Sequence, residues 1–130
     1  MKRKPNIIIF LADDLGYGDT SPYGGWMKTP SMDRMASQGM RFTDFHSNGA
    51  VCSPTRAALL TGCYQQRSGI EDVLVDKEGW YTEGMGLDPS ELTFAKLFKA
   101  GGYSTALFGK WHLGEDIKYN PTHFGFDEFR

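Results

Sequence analysis

The stretch Asn6-Ile7-Ile8-Ile9-Phe10-Leu11-Ala12-Asp13-Asp14 indicates the fold class of this 130-residue chain. Its apolar residues follow one another without alternating polar positions, which is typical of a strand buried on both faces in a parallel sheet covered by helices. The apolar run ends at two carboxylates, so we expect the chain to leave the core at Asp13. The stretch therefore predicts a buried strand over residues 6–12.

The segments that follow carry alternating helix and strand signals. Three helices are predicted by apolar residues at helical spacing, with Ser, Thr or Pro near the start and Gly after the end: residues 29–38, 52–61 and 90–100. Alternation and apolar runs predict two more strands: residues 40–46 and 103–108. We interpret residues 64–86 as a long loop with a short strand at 73–75. This order favours an α/β fold with a mostly parallel sheet flanked by helices.

Composition excludes several classes of protein. The 14 Lys and Arg residues nearly balance the 16 Asp and Glu residues, which argues against a general nucleic-acid binder. Hydrophobic residues make up 40% of the chain, enough for a core, so wholesale disorder is excluded. The longest apolar run is far shorter than the roughly 20 residues of a membrane span, and it lacks the features of a signal peptide. We expect no nucleic-acid partner, no membrane partner and no targeting segment in this chain.

Polar residues that could take part in catalysis or ligand binding stand at the ends of the predicted elements. Asp13 and Asp14 follow the first strand, Cys52 begins a helix, and Lys110 and His112 follow the last strand. Because sites in open α/β sheets form at the carboxyl ends of the strands, these residues are expected to share one site.

Each of these residue types suits an anionic substrate or a cation. Adjacent carboxylates suit Ca²⁺ or Mg²⁺, although such a pair more often marks a solvated turn. Arg56 lies one helical turn after Cys52, and a helix N-terminus attracts anions; a buried thiol beside a solvated Arg is the alternative. Lys110 and His112 would lie on one side of an extended segment, where they could offer a fixed charge and a proton donor. Ordinary surface residues remain the alternative for that pair.

Three other interpretations fail on spacing. The segment Gly16-Tyr17-Gly18 begins like a dinucleotide loop, but Ser21 stands where the third glycine is needed. A cysteine phosphatase would place Arg six positions after the cysteine, where this chain has Ala58. Cys52 and Cys63 are too far apart for C-x₂-C zinc spacing, and they form no disulfide framework.

Several ordered blocks of the chain resemble one enzyme family. The segment Cys52-Ser53-Pro54-Thr55-Arg56 fits the C-x-P-x-R motif of type I sulfatases, and residues 57–62 fit its continuation. Residues 102–114 look like the second signature of that family, and residues 5–19 look like its first strand and metal loop. The phrase Gly125-Phe126-Asp127 also recurs there. Because the blocks cover nearly the whole chain in order, it resembles the formylglycine-dependent sulfatases of the alkaline phosphatase superfamily.

The resemblance implies a partial alkaline-phosphatase-like sandwich and a sulfuric ester hydrolase. Cys52 would be oxidised to Cα-formylglycine by a formylglycine-generating or anaerobic sulfatase-maturating enzyme. One hydroxyl of the hydrated aldehyde then attacks the sulfur of a sulfate ester, the alcohol leaves, and elimination of sulfate regenerates the aldehyde. The family also uses a divalent cation, usually calcium with magnesium as the alternative, and Asp13, Asp14 and modified Cys52 match its ligands.

The remaining roles are carried over residue by residue. Arg56 matches the residue that orients and helps to ionise the diol, Lys110 matches a contact to sulfate, and His112 matches a residue that bonds the formylglycine hydroxyl and assists elimination. Family members are usually several times longer, with further metal and sulfate ligands downstream. We therefore expect residues 1–130 to be the N-terminal part of a sulfatase catalytic domain, an incomplete fragment with little or no turnover by itself.

Two other functions stay open at this stage. A phosphonate monoester or phosphodiester hydrolase of the same superfamily can share the formylglycine motif. A non-catalytic protein that binds anions or metals would keep Cys52 as a thiol. The sequence does not distinguish aryl, carbohydrate and alkyl sulfates, and it leaves the compartment open, since relatives are often periplasmic, secreted or lysosomal.

Overall fold

The computed structural model describes residues 4–74 and 84–130. These residues form two compact units, one ending at Phe45 and the other spanning His46–Arg130. The helices are α1 (Pro30–Gln38), α2 (Cys52–Thr61), α3 (Gln65–Ser68) and α4 (Phe94–Ala100), the strands are β1 (Ala106–Leu107) and β2 (Glu128–Phe129), and 3-10 turns occupy Ser21–Tyr23, Ile117–Tyr119 and Pro121–Phe124. Within the described ranges, no helix combines the length and the apolar character needed to cross a membrane.

In the first unit, side-chain hydrogen bonds tie a 3-10 turn to the start of α1. The Ser21 hydroxyl donates to the Asp33 carboxylate at 2.7 Å and accepts from the Thr29 amide at 3.0 Å. The Ser21 amide in turn donates to the Thr29 hydroxyl at 3.2 Å. The predicted helix is confirmed, with Thr29 at its N-cap and Pro30 in its first turn, where a missing N–H costs nothing.

The strands predicted over residues 6–12 and 40–46 are wrong for this structure. Both segments lie outside regular secondary structure, and Ile8 and Phe10 are 77% and 86% exposed. A parallel strand is stabilised by hydrogen bonds to neighbouring strands and by helices over its faces. Among the described residues, the only sheet is the β1–β2 pair of the second unit, so neither segment has a sheet to join.

The second unit contains a short parallel pair. Ala106 lies opposite Glu128, and Leu107 lies opposite Phe129, so the expected parallel pairing is present. The predicted strand over residues 103–108 is therefore shortened to its middle two residues.

Helix α4 begins later than predicted. The sequence predicts a start at Ser90, but the helix begins at Phe94, and Thr93 caps it by accepting a hydrogen bond from the Lys96 amide at 3.2 Å. The Ser90 amide instead donates to the Asp88 carboxylate at 2.8 Å, which closes a local turn before the helix. A side chain that can bond its own neighbourhood competes with a helix start, which explains the shift.

The predicted loop over residues 64–86 contains one short helix, α3. Residues 75–83 lie outside the described ranges, so part of the strand predicted at 73–75 falls beyond the structure. Val73 and Leu74 lie in neither a helix nor a strand.

An aromatic cluster occupies the centre of the second unit. The Trp111 ring lies 5.1 Å from that of Phe124 and 6.4 Å, edge to face, from that of Phe126. Such pairs contribute about 0.5–1.5 kcal/mol beyond the area that they bury. Among the described residues, the buried core comprises Ala57, Leu60, Ile70, Leu87, Ala95, Trp111, Leu113, Tyr119, Phe124 and Phe126. Trp111 is thus a packing residue.

The phrase Gly125-Phe126-Asp127 has a structural explanation. Gly125 adopts a φ of +101°, and a Cβ atom there would lie 2.4 Å from the Lys96 amide nitrogen in α4. Asp127 accepts from the Thr105 amide at 2.9 Å and pairs with Lys99 at 2.7 Å. The phrase therefore lets the chain pass directly against α4 and fixes it next to β1.

We expect Gly125→Ala to destabilise the protein by at least about 2 kcal/mol, because the new methyl group meets backbone atoms and the positive φ is strained. Gly69→Ala is the matched control, since Gly69 has a φ of +70° with open space around its Cβ position. Chemical denaturation of both variants measures the difference. Equal losses in the two variants would show that only the backbone conformation matters.

The salt bridge to Lys99 and the hydrogen bonds from Thr105 lower the pKa of Asp127 from 3.8 to about 2. Because the folded-state pKa lies below the unfolded value, the stabilisation is present above about pH 4 and is lost as the pH falls towards 2. Denaturation between pH 5 and about 2 should therefore show a steeper loss of stability for the wild type than for Asp127→Asn. Parallel curves for the two proteins would contradict this assignment.

Candidate active site

Helix α2 presents Cys52 at its first turn. Val51 precedes it in an extended conformation, and the bounds of the helix agree with the prediction from the sequence. Ser53 and Pro54 are buried, while Cys52 and Arg56 are half-buried and stand one helical turn apart. Free N–H groups and the helix dipole at this end favour negative charge.

Lys110 contacts α2 through both its side chain and its backbone. Its Nζ donates to the Cys52 Sγ at 3.2 Å, and its backbone carbonyl accepts from the Arg56 guanidinium at 2.6 Å. Residues more than 50 positions apart in sequence thus meet through side chain and main chain together. The structure thus brings together three of the predicted site residues, with the Lys110 ammonium beside the thiol and the Arg56 guanidinium on the Lys110 carbonyl.

His112 reaches the same helix through Leu74. The His112 Nε2 lies 2.5 Å from the Leu74 carbonyl oxygen, and the Leu74 amide donates to the Ser53 hydroxyl at 3.0 Å. A backbone carbonyl can only accept, so Nε2 carries the proton. The other ring nitrogen, Nδ1, is buried and has no hydrogen-bond partner among the described residues.

The segment from Lys110 to His112 lies outside the strand, but its burial alternates as predicted, with Lys110 exposed, Trp111 buried and His112 half-buried. Strand β1 ends at Leu107, and Gly109 turns the chain with a φ of +108°. His112 itself adopts a φ of +59°, in the left-handed region that side chains rarely enter. Trp111 is buried between the two residues, so core packing anchors the segment that carries both side chains.

Asp13 and Asp14 lie in the first unit, at a bend that follows the apolar run. Both are exposed, and a carboxylate oxygen of one lies within 4.8 Å of a carboxylate oxygen of the other. Ca²⁺ binds oxygen at 2.3–2.6 Å, so two of its ligands lie at most about 5 Å apart. The donor type and the spacing of this pair therefore fit a hard divalent cation.

Sequence reasoning missed the contributions of Ser53 and Leu74. Ser53 carried a signal that could have been read, since a hydroxyl on the buried side of a helix needs a partner. Leu74 carried none, because it acts through its backbone across 38 positions of sequence. Cys52 and Cys63 form no disulfide.

Comparison with known proteins identifies relatives over almost the whole chain. Residues 5–130 match the sequence model of the family described as Sulfatase. The chain is 43% identical to the steryl-sulfatase of Homo sapiens, over 97% of this chain and 23% of that protein. The PsFucS1 sulfatase from Pseudoalteromonas sp. superposes with a TM-score of 0.84 at 39% identity, over 98% of this chain and 25% of that one.

A second solved structure carries a substrate. It is described as BT4656 in complex with its substrate D-glucosamine-2-N,6-O-disulfate, and it matches with a TM-score of 0.80 at 34% identity, over 98% of this chain and 23% of that one. These superpositions confirm the predicted α/β class as a partial alkaline-phosphatase-like fold. The chain spans about a quarter of the length of the relatives that it matches.

Proposed function

We propose that residues 1–130 form part of the catalytic domain of an enzyme that hydrolyses sulfate esters to an alcohol and inorganic sulfate. The premise is that the chain belongs to the sulfatase family. The observation that carries the proposal is the 3.2 Å contact between Lys110 Nζ and Cys52 Sγ at the start of α2. It places a cation against the side chain that the C-x-P-x-R motif marks for modification. The sulfated sugar bound by BT4656 supports sulfate esters as the substrate class.

Cys52 is the proposed nucleophile after oxidation to Cα-formylglycine by a maturating enzyme. Once hydrated, this residue offers one hydroxyl to attack the sulfur and a second whose deprotonation drives sulfate out again. The N-terminus of α2 stabilises negative charge at this position through its free N–H groups and dipole. A helix that begins at the reacting residue thus supplies electrostatic stabilisation without a side chain.

Lys110 and Arg56 provide the positive charge that an anionic ester requires. Two unit charges about 4 Å apart attract by about 4 kcal/mol at an effective dielectric constant near 20. Lys110 would contact the sulfate oxygens with the Nζ that now bonds the thiol. Arg56 holds the Lys110 carbonyl and would also orient the attacking hydroxyl, as the family resemblance implies.

His112 is the proposed proton carrier. Its Nε2–H is committed to the Leu74 carbonyl, which leaves the lone pair of Nδ1 to take a proton. A neutral imidazole with an available lone pair can act as a general base. We propose that this nitrogen assists the elimination that releases sulfate.

Asp13 and Asp14 would hold a divalent cation, with modified Cys52 as a further ligand on the family resemblance. Calcium fits the all-oxygen pair, and magnesium is the alternative. The bound ion would supply charge neutralisation for the oxygens of the sulfate group.

Turnover by the whole protein, produced with a maturating enzyme, tests the function. We expect faster release of the alcohol from an aryl sulfate than from an aryl phosphodiester, and formylglycine at position 52 by mass spectrometry. Cys52→Ser should accept one SO₃ group and keep it, because a single hydroxyl cannot expel sulfate by elimination. Faster phosphodiester turnover would favour the related hydrolase. An unmodified thiol in the native host, without turnover, would favour a non-catalytic anion-binding protein.

Substitution of the acidic pair tests the metal proposal. Asp14→Asn should weaken calcium binding at least about tenfold, since it removes an anionic oxygen ligand, and activity should be lost with a chelator and restored by calcium. Asp33→Asn is the control, because Asp33 bonds Ser21 within the same unit and has no proposed role in metal binding. Titration calorimetry with calcium chloride measures the change. Equal affinity in Asp14→Asn and Asp33→Asn would overturn the assignment.

A further inference from the structure

A relay of two hydrogen bonds runs from α2 to His112. The Ser53 hydroxyl accepts from the Leu74 amide at 3.0 Å, and the Leu74 carbonyl accepts from His112 Nε2 at 2.5 Å. Ser53 is completely buried, so no water competes for its oxygen. The amide of Leu74 is therefore fixed by Ser53 of α2, and the carbonyl of Leu74 faces the imidazole of His112.

The carbonyl of Leu74 determines which nitrogen of His112 carries the proton. Because that oxygen can only accept, the hydrogen bond selects the Nε2–H form of the neutral ring. The buried Nδ1 is then the nitrogen with a lone pair. If the Leu74 carbonyl moved, nothing in this relay would favour one tautomer over the other.

The backbone of His112 makes this support necessary. Its φ of +59° is strained for a side chain with a Cβ atom, and such conformations persist only where the surroundings hold them. On one side the buried Trp111 holds the chain. On the other side, the imidazole ring is held by its hydrogen bond to the Leu74 carbonyl.

We propose that Ser53 is a positioning residue, which fixes Leu74 so that its carbonyl holds His112 as the Nε2–H tautomer and keeps Nδ1 ready to accept a proton. Ser53 itself touches neither the substrate nor the reacting atoms in this scheme. The importance of the relay for catalysis rests on the proposed sulfatase function, whereas the tautomer of His112 can be measured independently of any activity.

The test uses nitrogen shifts of His112 in the whole protein labelled with ¹⁵N at histidine, assigned with a His112→Gln variant. The wild type should show a pyrrole-type shift at Nε2 and a pyridine-type shift at Nδ1. Ser53→Ala should move both shifts towards the average of the two tautomers, because the Leu74 amide loses its acceptor. Ser68→Ala is the control, since the hydroxyl of this buried serine donates to the Gln65 carbonyl within α3.

A second pair of variants separates the hydroxyl from the packing. Ser53→Thr and Ser53→Val add a similar volume to the buried position, but only threonine keeps a hydroxyl. We expect the threonine variant to retain the Nε2–H tautomer and the valine variant to lose it. Wild-type shifts in both Ser53→Ala and Ser53→Val would overturn the proposal, even if both variants were inactive.

Kinetics give the functional reading of the same variants. Because Ser53 lies inside the maturation motif, kcat is divided by the formylglycine content measured by mass spectrometry. On that basis kcat of Ser53→Ala should fall about tenfold with KM little changed, as for residues that orient a functional imidazole. If kcat of Ser53→Ala, divided by its formylglycine content, equalled that of the wild type, the proposed role of Ser53 in catalysis would be overturned. A wild type without sulfatase turnover would refute the proposed function alone, and the nitrogen shifts would still decide the role of Ser53.

Discussion

The burial of Trp111 is the constraint on which the candidate site depends. Its ring packs against Phe124 and Phe126 in the centre of the second unit, so the backbone on either side of it has little freedom. Lys110 and His112 flank this anchor, and their positions are therefore set by core packing and not by a surface loop. A site built on a packed aromatic cluster holds its charged groups in position before any ligand binds.

Helix α2 is the second fixed element, and main-chain contacts join it to that anchor. Arg56 bonds the Lys110 carbonyl, and Ser53 bonds the Leu74 amide. Because both contacts go to backbone atoms, they hold Lys110 and Leu74 in position independently of the side chains at those two residues. The motif that begins at Cys52 therefore does two things in this structure, since it carries the thiol and it also fastens the two segments that surround it.

Local patterns predicted α1 and α2 well and the strands poorly, for a physical reason. The bounds of α2 follow from residues within the helix and from Gly62 after it, and all of these act over one or two turns. The apolar run over residues 6–12 states only that these side chains prefer burial, whereas a strand also needs a neighbour to pair with. In the same way, spacing could place Arg56 beside Cys52, but it could not reveal the contact of Lys110 or the role of Leu74, which depend on distant packing.

Backbone strain provides independent support for two of the candidate residues. Among the described residues, Asp14 and His112 are the non-glycine residues with positive φ, at +54° and +59°. Both were selected from the sequence by their chemistry, without reference to backbone conformation. Strained conformations tend to be kept where function requires them, because each costs about 1–3 kcal/mol that selection would otherwise recover. The two positive-φ positions fall on a proposed metal ligand and a proposed proton carrier, although Asp and His also enter this region more readily than most other side chains.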